Sequence, residues 1–337
     1  MKHQSGIILL LVALCVVIIG VSLVNGAYHI LLSNVWSILV GRFFNDQQTW
    51  SETDEVVLLA IRLPRIILAL LVGASLAVSG TVLQSVFRNP LVSPYLLGIS
   101  SGASFGASLI IMFWTTHQPW LVQLSAFLFG MLAVLLSSTI ARLYDPINNT
   151  VLILAGVVVG SLFSALVGVM KYVASPDVLR VIELWTMGSF ADAKWRDVIQ
   201  LAPFIVGGCV IMVLLSWRIN ALSLGSQQAK ILGIDPKGLR FLLIAVTGLM
   251  TSMAVAISGP IGWVGIIIPH IVRLMVGANN YFVILGSICL GSAFLLGVDL
   301  LARTLVPGEI PISILTAIIG AVFFIVLVSR VRKGSWQ

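Results

Sequence analysis

Apolar stretches about as long as the ~20 residues that a helix needs to cross a ~30 Å hydrocarbon core recur along almost the whole chain. They lie near 7–32, 57–87, 92–114, 120–141, 147–172, 196–217, 239–258, 260–277, 281–300 and 310–329. Each is continuously apolar and none alternates with period two, a pattern that predicts spanning helices and argues against a transmembrane barrel. Only 9% of the 337 residues are charged, far below the roughly 25% of a soluble domain. The expected fold is therefore an all-α integral membrane protein of ten transmembrane helices. The first stretch, from Ile7 to Val24, is too long for a leader and has no A-x-A site, so it is expected to be a retained span.

An even number of spans puts both termini on one side. That side collects eleven of the nineteen basic residues, Arg88, Arg142, Arg218, Lys230, Lys237 and Arg273 among them, but only Asp145 and Asp235 of the twelve acids. Basic residues favour the cytoplasmic face, so both termini are expected there. The net positive charge reflects topology and does not point to nucleic acid. Cys15, Cys209 and Cys289 all fall within spans without C-x-x-C spacing, which indicates neither a disulfide framework nor a metal site.

Three segments outside the spans carry pattern. Residues 34–56 form an acidic outer loop, and 173–197 mixes Trp185 and Trp195, both interfacial anchors in type, with charge. Residues 218–240, "RINALSLGSQQAKILGIDPKGLR", alternate Leu222, Leu224, Ile231, Leu232 and Ile234 with polar residues between Gly225, Gly233 and Pro236. Two short cytoplasmic helices across a bend satisfy that pattern. "LAVSG" at 76–80 and "VAISG" at 255–259 are each followed, ten residues after the glycine, by Pro90 and Pro269. Helices 2 and 7 run in opposite directions, so the echo predicts an inverted repeat of helices 2–5 and 7–10, an arrangement common in transporters.

The stretch "GPIGWVGIIIPHIVRL" at 259–274 has glycines at 259, 262 and 265 and prolines at 260 and 269. It reads as a half-helix packed closely in a bundle, with His270 structural and Arg273 at its end. "RLPR" at 62–65 and "VDLLARTLVPGEIP" at 298–311 bring Arg62, Arg65 and Arg303 to the outer face, exposed to water. They serve there either as interfacial anchors or as docking groups for an acidic partner, since arginine forks match carboxylates. "FRNPLVSPYLLGISSGASFGAS" at 87–108 is a bend at Asn89 and Pro90 followed by a small-residue helix, with Asn148 and Asn149 near the same inner mouth.

"RLPR", "GASLAVSGTVLQSVFRNPLVSPYLLGISSGA", "ELWTMGSF", "GPIGWVGIIIPHIVRL" and "EIPISILTAIIGAVFF" occur in this order from about residue 56 onward. Together they resemble the permease subunits of the iron-siderophore, haem and cobalamin importers, which are type II ABC importers. The resemblance implies that 1–337 is one permease domain of the bacterial inner membrane, embedded in lipid and paired with a second copy of itself. Its partners would be two cytoplasmic ABC ATPase subunits and a periplasmic substrate-binding protein.

Further implications follow residue by residue. Arg62, Arg65 and Arg303 would dock the binding protein. Leu224, Gly225, Ala229 and Gly233, within a coupling segment at 218–240, would meet the ATPase. Asn89, Leu91 and Asn149 would form the inner gate of the path. The cargo would be a metal chelate or a small oxyanion such as molybdate or tungstate. Ser226 and Gln227 stand where the family often has acids, Ser313 where it has glycine, and Val322 where it has proline.

No G-x-x-x-x-G-K-[ST] phosphate loop occurs, so this chain is expected to bind no cofactor, with ATP and Mg held by the partner ATPase. An ion-coupled secondary transporter is the alternative. It needs an ionisable residue deep in the membrane, and Asp299 is the candidate, though its place four residues before Arg303 makes an i,i+4 pair the simpler reading. An intramembrane hydrolase lacks support, because no H-E-x-x-H or convincing Ser/His pairing is present.

Overall fold

The computed structural model describes residues 2–26, 28–44, 50–114, 118–144, 149–306 and 308–331. No strand occurs among them. In chain order the helices are α1 (Lys2–Val24), α2 (Leu32–Phe44), α3 (Glu52–Val56), α4 (Leu63–Phe87), α5 (Ile99–Phe113), α6 (Pro119–Tyr144), α7 (Asn149–Val173) and α8 (Pro176–Thr186). They continue as α9 (Trp195–Leu214), α10 (Ser216–Ser223), α11 (Ser226–Ile231), α12 (Pro236–Ser258), α13 (Val264–Val276), α14 (Asn280–Thr304) and α15 (Ile312–Val331). Every expected span coincides with a helix. Seven helices among the described residues are long and apolar enough to cross a membrane, whereas α5 and α13 are shorter. At 1.5 Å per residue, the 13 residues of α13 reach only about 20 Å, as the half-helix reading requires.

α4 is the axis of the bundle and is buried along most of its length. Its small and hydroxyl residues let neighbours approach and leave few polar groups unsatisfied in an apolar medium. Ser75 donates to the Met250 carbonyl on α12 at 3.0 Å, Thr81 and Ser287 of α14 pair at 2.8 Å, and Ser292 of α14 donates to the Leu70 carbonyl at 2.8 Å. At the start of α4, Pro64 has no N–H to continue an α-helical ladder. The chain answers with a π-helical turn over Val57–Arg62, and Trp195 Nε1 donates to the Leu59 carbonyl in that turn at 2.8 Å. Trp195 is thus bonded to the bundle as well as lying at its edge.

The helix packing repeats. α4 and α12 pack on each other; α4 also packs on α13 and α14, and α12 on α5 and α6. The packing of α5, α6 and α7 among themselves is matched by that of α13, α14 and α15. Exchanging the two sets leaves the scheme unchanged. The connections match as well: Arg88 (φ 55°) and Gly98 (φ 77°) bound the one after α4, Gly259 (φ 69°) and Trp263 (φ 70°) the one after α12. The ten-residue echo is not itself the structural correspondence, because Pro90 lies in a connection while Pro269 lies inside α13.

Residues 34–56 are not simply a loop. They contain most of α2 and all of α3, and Ile30, Val35, Ile38 and Leu58 form a small separate core there. Residues 173–197 likewise hold α8, whose end meets the start of α15. Ser313 Oγ donates to the Met187 carbonyl at 2.6 Å, a bond that a glycine at this position would lack. Val322 is exposed on the outer side of α15.

Candidate functional site

The end of the bundle that the charge bias assigns to the cytoplasm is built around 218–240. α10 and α11 are two short helices separated by Gly225, whose φ of 126° is closed to ordinary side chains. Gly233 makes a second left-handed turn (φ 76°), and Asp235 then caps α12 by accepting from the backbone N–H groups of Lys237 and Gly238. Ile219, Leu222 and Ala229 are buried and fasten the segment to the bundle, with α10 packed on α4 and α14. In contrast, Leu224 is 62% exposed and Ile231 85% exposed, with Leu232 beside them. Ile231 and Leu232 stood in the sequence pattern but were not assigned a role. Their exposure beside the buried Ala229 distinguishes them.

α4 ends at the same face. The last carbonyls of a helix have no partner within it, and Asn149 supplies one: its Nδ2 donates to the Phe87 carbonyl at 2.9 Å. Asn89 Oδ1 accepts the Leu91 N–H at 2.9 Å, closing a tight turn that leaves the Leu91 side chain exposed. The three gate candidates are therefore brought together at one helix end. Asn148 lies outside the described residues. The coupling candidates adjoin them, since Arg88 Nη1 lies 3.6 Å from where a Cβ on Gly225 would stand.

The neighbouring half-helix explains its own sequence. Pro269 has no N–H, so the Gly265 carbonyl four residues earlier is left without its helical donor. Gln84 of α4 fills the vacancy, donating Nε2 to the Gly265 carbonyl at 3.2 Å, while its Oε1 accepts from Arg273 Nη1. The bond is possible because α4 and α13 touch backbone to backbone: a Cβ on Gly80 would collide with the Gly265 carbonyl. Arg273 therefore binds inward, to Gln84 and the Thr81 carbonyl of α4. His270 packs edge-on against Phe323 of α15, with ring centres 5.9 Å apart.

The three arginines lie at the opposite end of α4, but they do not face water. Arg62 is 3% exposed, Arg65 7% and Arg303 7%. Arg62 donates to the carbonyls of Leu23, Val24 and Tyr28, thereby capping the end of α1. Arg65 forms a fork on Asp299 (2.8 Å) and on Glu309 (2.9 Å). Arg303 donates to Ser22 and lies 3.5 Å from Asp299. The expected i,i+4 pair of Asp299 and Arg303 exists, but the shorter contact of Asp299 comes from Arg65, 234 residues distant in sequence. Burial follows from the charge balance: cations this deep are tolerated only against carboxylates and carbonyls. Glu309 is the exposed member, with 37% of its side chain accessible and a left-handed backbone (φ 52°).

Residues 12–330 match the model of the FecCD transport family. The chain belongs to that family. The molybdate import system permease protein MolB of Haemophilus influenzae is 40% identical over 338 residues, covering 99% of this chain and 97% of that protein. The hemin transport system permease protein HmuU of Yersinia pestis is 38% identical over 279 residues, 82% of this chain and 84% of that protein. A solved structure described as an inward-facing conformation of a metal-chelate type ABC transporter superposes with a TM-score of 0.86 at 38% identity, covering 97% of this chain and 99% of its own. This FecCD-family chain is thus a multi-pass permease of a type II ABC importer of the bacterial inner membrane.

Proposed function

We propose that this permease works as a homodimer whose path is opened and closed by two cytoplasmic ATPase subunits docked on 218–240. The observation that carries the reading is the pair of exposed apolar side chains, Leu224 and Ile231, on a segment fixed to the bundle by buried Ala229 and Leu222. Exposed apolar groups on a rigid cytoplasmic platform mark a protein contact. Gly225 and Gly233 set the platform's shape, and the end of α4 at Asn89, Leu91 and Asn149 forms the gate beside it. The second copy would cover apolar side chains exposed on α7 and α15, Leu154, Val158, Ile318 and Val322 among them.

The cargo is a metal chelate or a small metal oxyanion, in keeping with the molybdate and hemin systems named among the relatives. A binding protein delivers it at the arginine end. Because Arg62, Arg65 and Arg303 are occupied internally, its carboxylates engage them by exchange at Glu309, the accessible member. The ion-coupled alternative is less well supported, since Asp299 is already paired to Arg65 and Arg303.

Docking is tested by co-purification. Ile231→Glu places a carboxylate where an apolar contact is expected. A central interface side chain contributes about 2 kcal/mol, so ATPase affinity should fall roughly thirtyfold while the chain still inserts and dimerises. Undiminished ATPase recovery with Ile231→Glu and Leu224→Glu would place the interface elsewhere.

A further inference from the structure

A continuous polar chain runs from the coupling segment into the half-helix beside the gate. Asn220 of α10 accepts, on Oδ1, both the backbone N–H of Asn280 (2.8 Å) and its Nδ2 (2.9 Å). Asn220 Nδ2 in turn donates to Asn279 Oδ1 at 3.0 Å, the same oxygen that caps α14 through the Tyr281 N–H. Asn280 Oδ1 accepts from Ser85 Oγ of α4 at 2.7 Å, and Ser85 Oγ accepts from Arg273 Nη2 of α13 at 3.1 Å. Arg273 continues to Gln84, which holds the carbonyl freed by Pro269. Gln84, Ser85 and Asn280 are buried.

We propose that Asn220, Asn280, Ser85 and Arg273 are positioning residues that carry the displacement of the coupling segment to α4 and α13, and so to the gate at Leu91. The inference rests on 218–240 being the ATPase contact. Its physical basis is that Ser85 and Asn280 are buried where water cannot replace a lost partner, so breaking the bond between them leaves an unsatisfied polar group, while Asn220 and Arg273 join them from partly buried positions. When α10 moves, the start of α14 and the end of α4 therefore move with it. Among the described residues, Asn220 is the side chain by which α10 bonds to the start of α14. Ser85 lies three residues before Arg88, where α4 gives way to the Asn89 turn. Packing alone does not require this chain, because leucine has nearly the shape of asparagine.

The test reads gate motion without needing the cargo. Leu91→Cys, in a background with Cys15, Cys209 and Cys289 changed to alanine, carries a spin label in each copy of the dimer. The distance between labels is measured in the complex with its ATPase subunits, with and without Mg and a non-hydrolysable ATP analogue. The unaltered relay should give a nucleotide-dependent shift. Asn220→Leu and Ser85→Ala should each lose more than half of it at equal ATPase occupancy, whereas Asn220→Asp, which keeps the accepting oxygen, should retain it. Combining Asn220→Leu with Ser85→Ala should be no worse than either alone, as links of one chain. Should Asn220→Leu fail to fold, Ser85→Ala decides. A shift of full size in Ser85→Ala, or no shift in the unaltered complex, overturns the relay while leaving ATPase docking intact. If the ATPase does not assemble even on the unaltered chain, the reading of 218–240 falls and the relay with it.

Discussion

Arg65 shows how much one side chain at the arginine end depends on distant sequence. It binds Asp299 and Glu309 together, and the carboxylate of Asp299 is fully buried. Arg65→Ala removes the main counter-charge of Asp299, and breaking one side of such a pair typically costs about 3–5 kcal/mol. A markedly lower unfolding temperature in detergent is expected. Glu309→Gln alters the accessible member of the network, where a screened pair contributes about 1 kcal/mol or less, so its unfolding temperature should stay near that of the parent. If docking proceeds by exchange, binding-protein affinity should rise in Glu309→Gln; a fall would show that Glu309 itself forms part of the docking face. The sequence placed "RLPR" and "VDLLARTLVPGEIP" at one face, and helical spacing revealed the Asp299–Arg303 pair. It could not reveal the Arg65–Asp299 bond, because nothing local links residues 234 positions apart. Arginine near a span end therefore read as exposed.

Among the elements, the contact of α4 with α13 is the most constrained. Gly80→Val would drive a branched side chain into the Gly265 carbonyl, so α13 must separate from α4 and the Gln84 bond must break. Folded yield should collapse, as measured by size-exclusion recovery. Gly168, inside α7, has nothing within 4 Å of an added Cβ, and Gly168→Ala should leave yield unchanged or raise stability by up to about 1 kcal/mol. The glycines and prolines of 259–274 predicted a short, closely packed half-helix, and α13 is one. It begins at Val264, however, so Gly259, Pro260 and Gly262 precede it, Pro269 lies inside it, and of the three glycines Gly265 alone belongs to its packed face. The spans themselves were legible from apolar length. α2 and α8 were not, because a short helix packed at the membrane edge needs only one apolar face and leaves no long apolar run. The π-helical turn before α4 follows from Pro64, but only once the chain N-terminal to it is known to be helical.

At the scale of the whole molecule, two sets of helices pack alike around α4 and α12, with arginines and carboxylates at one end and an exposed apolar platform at the other. The sequence hinted at this repeat through five matched positions, yet the correspondence lies in packing and in left-handed connections that residue identity barely encodes. The coupling segment was legible because breakers and alternating leucines stand out between long spans. The central claim is that energy enters through a partner at 218–240. Its most direct test is cargo uptake into proteoliposomes containing the permease, its ATPase subunits and an internal ATP supply, with the cargo-loaded binding protein outside. The account predicts uptake that requires ATP, survives a proton ionophore and is lost with Ile231→Glu. Uptake by the permease alone that disappears when the ionophore is added would contradict it.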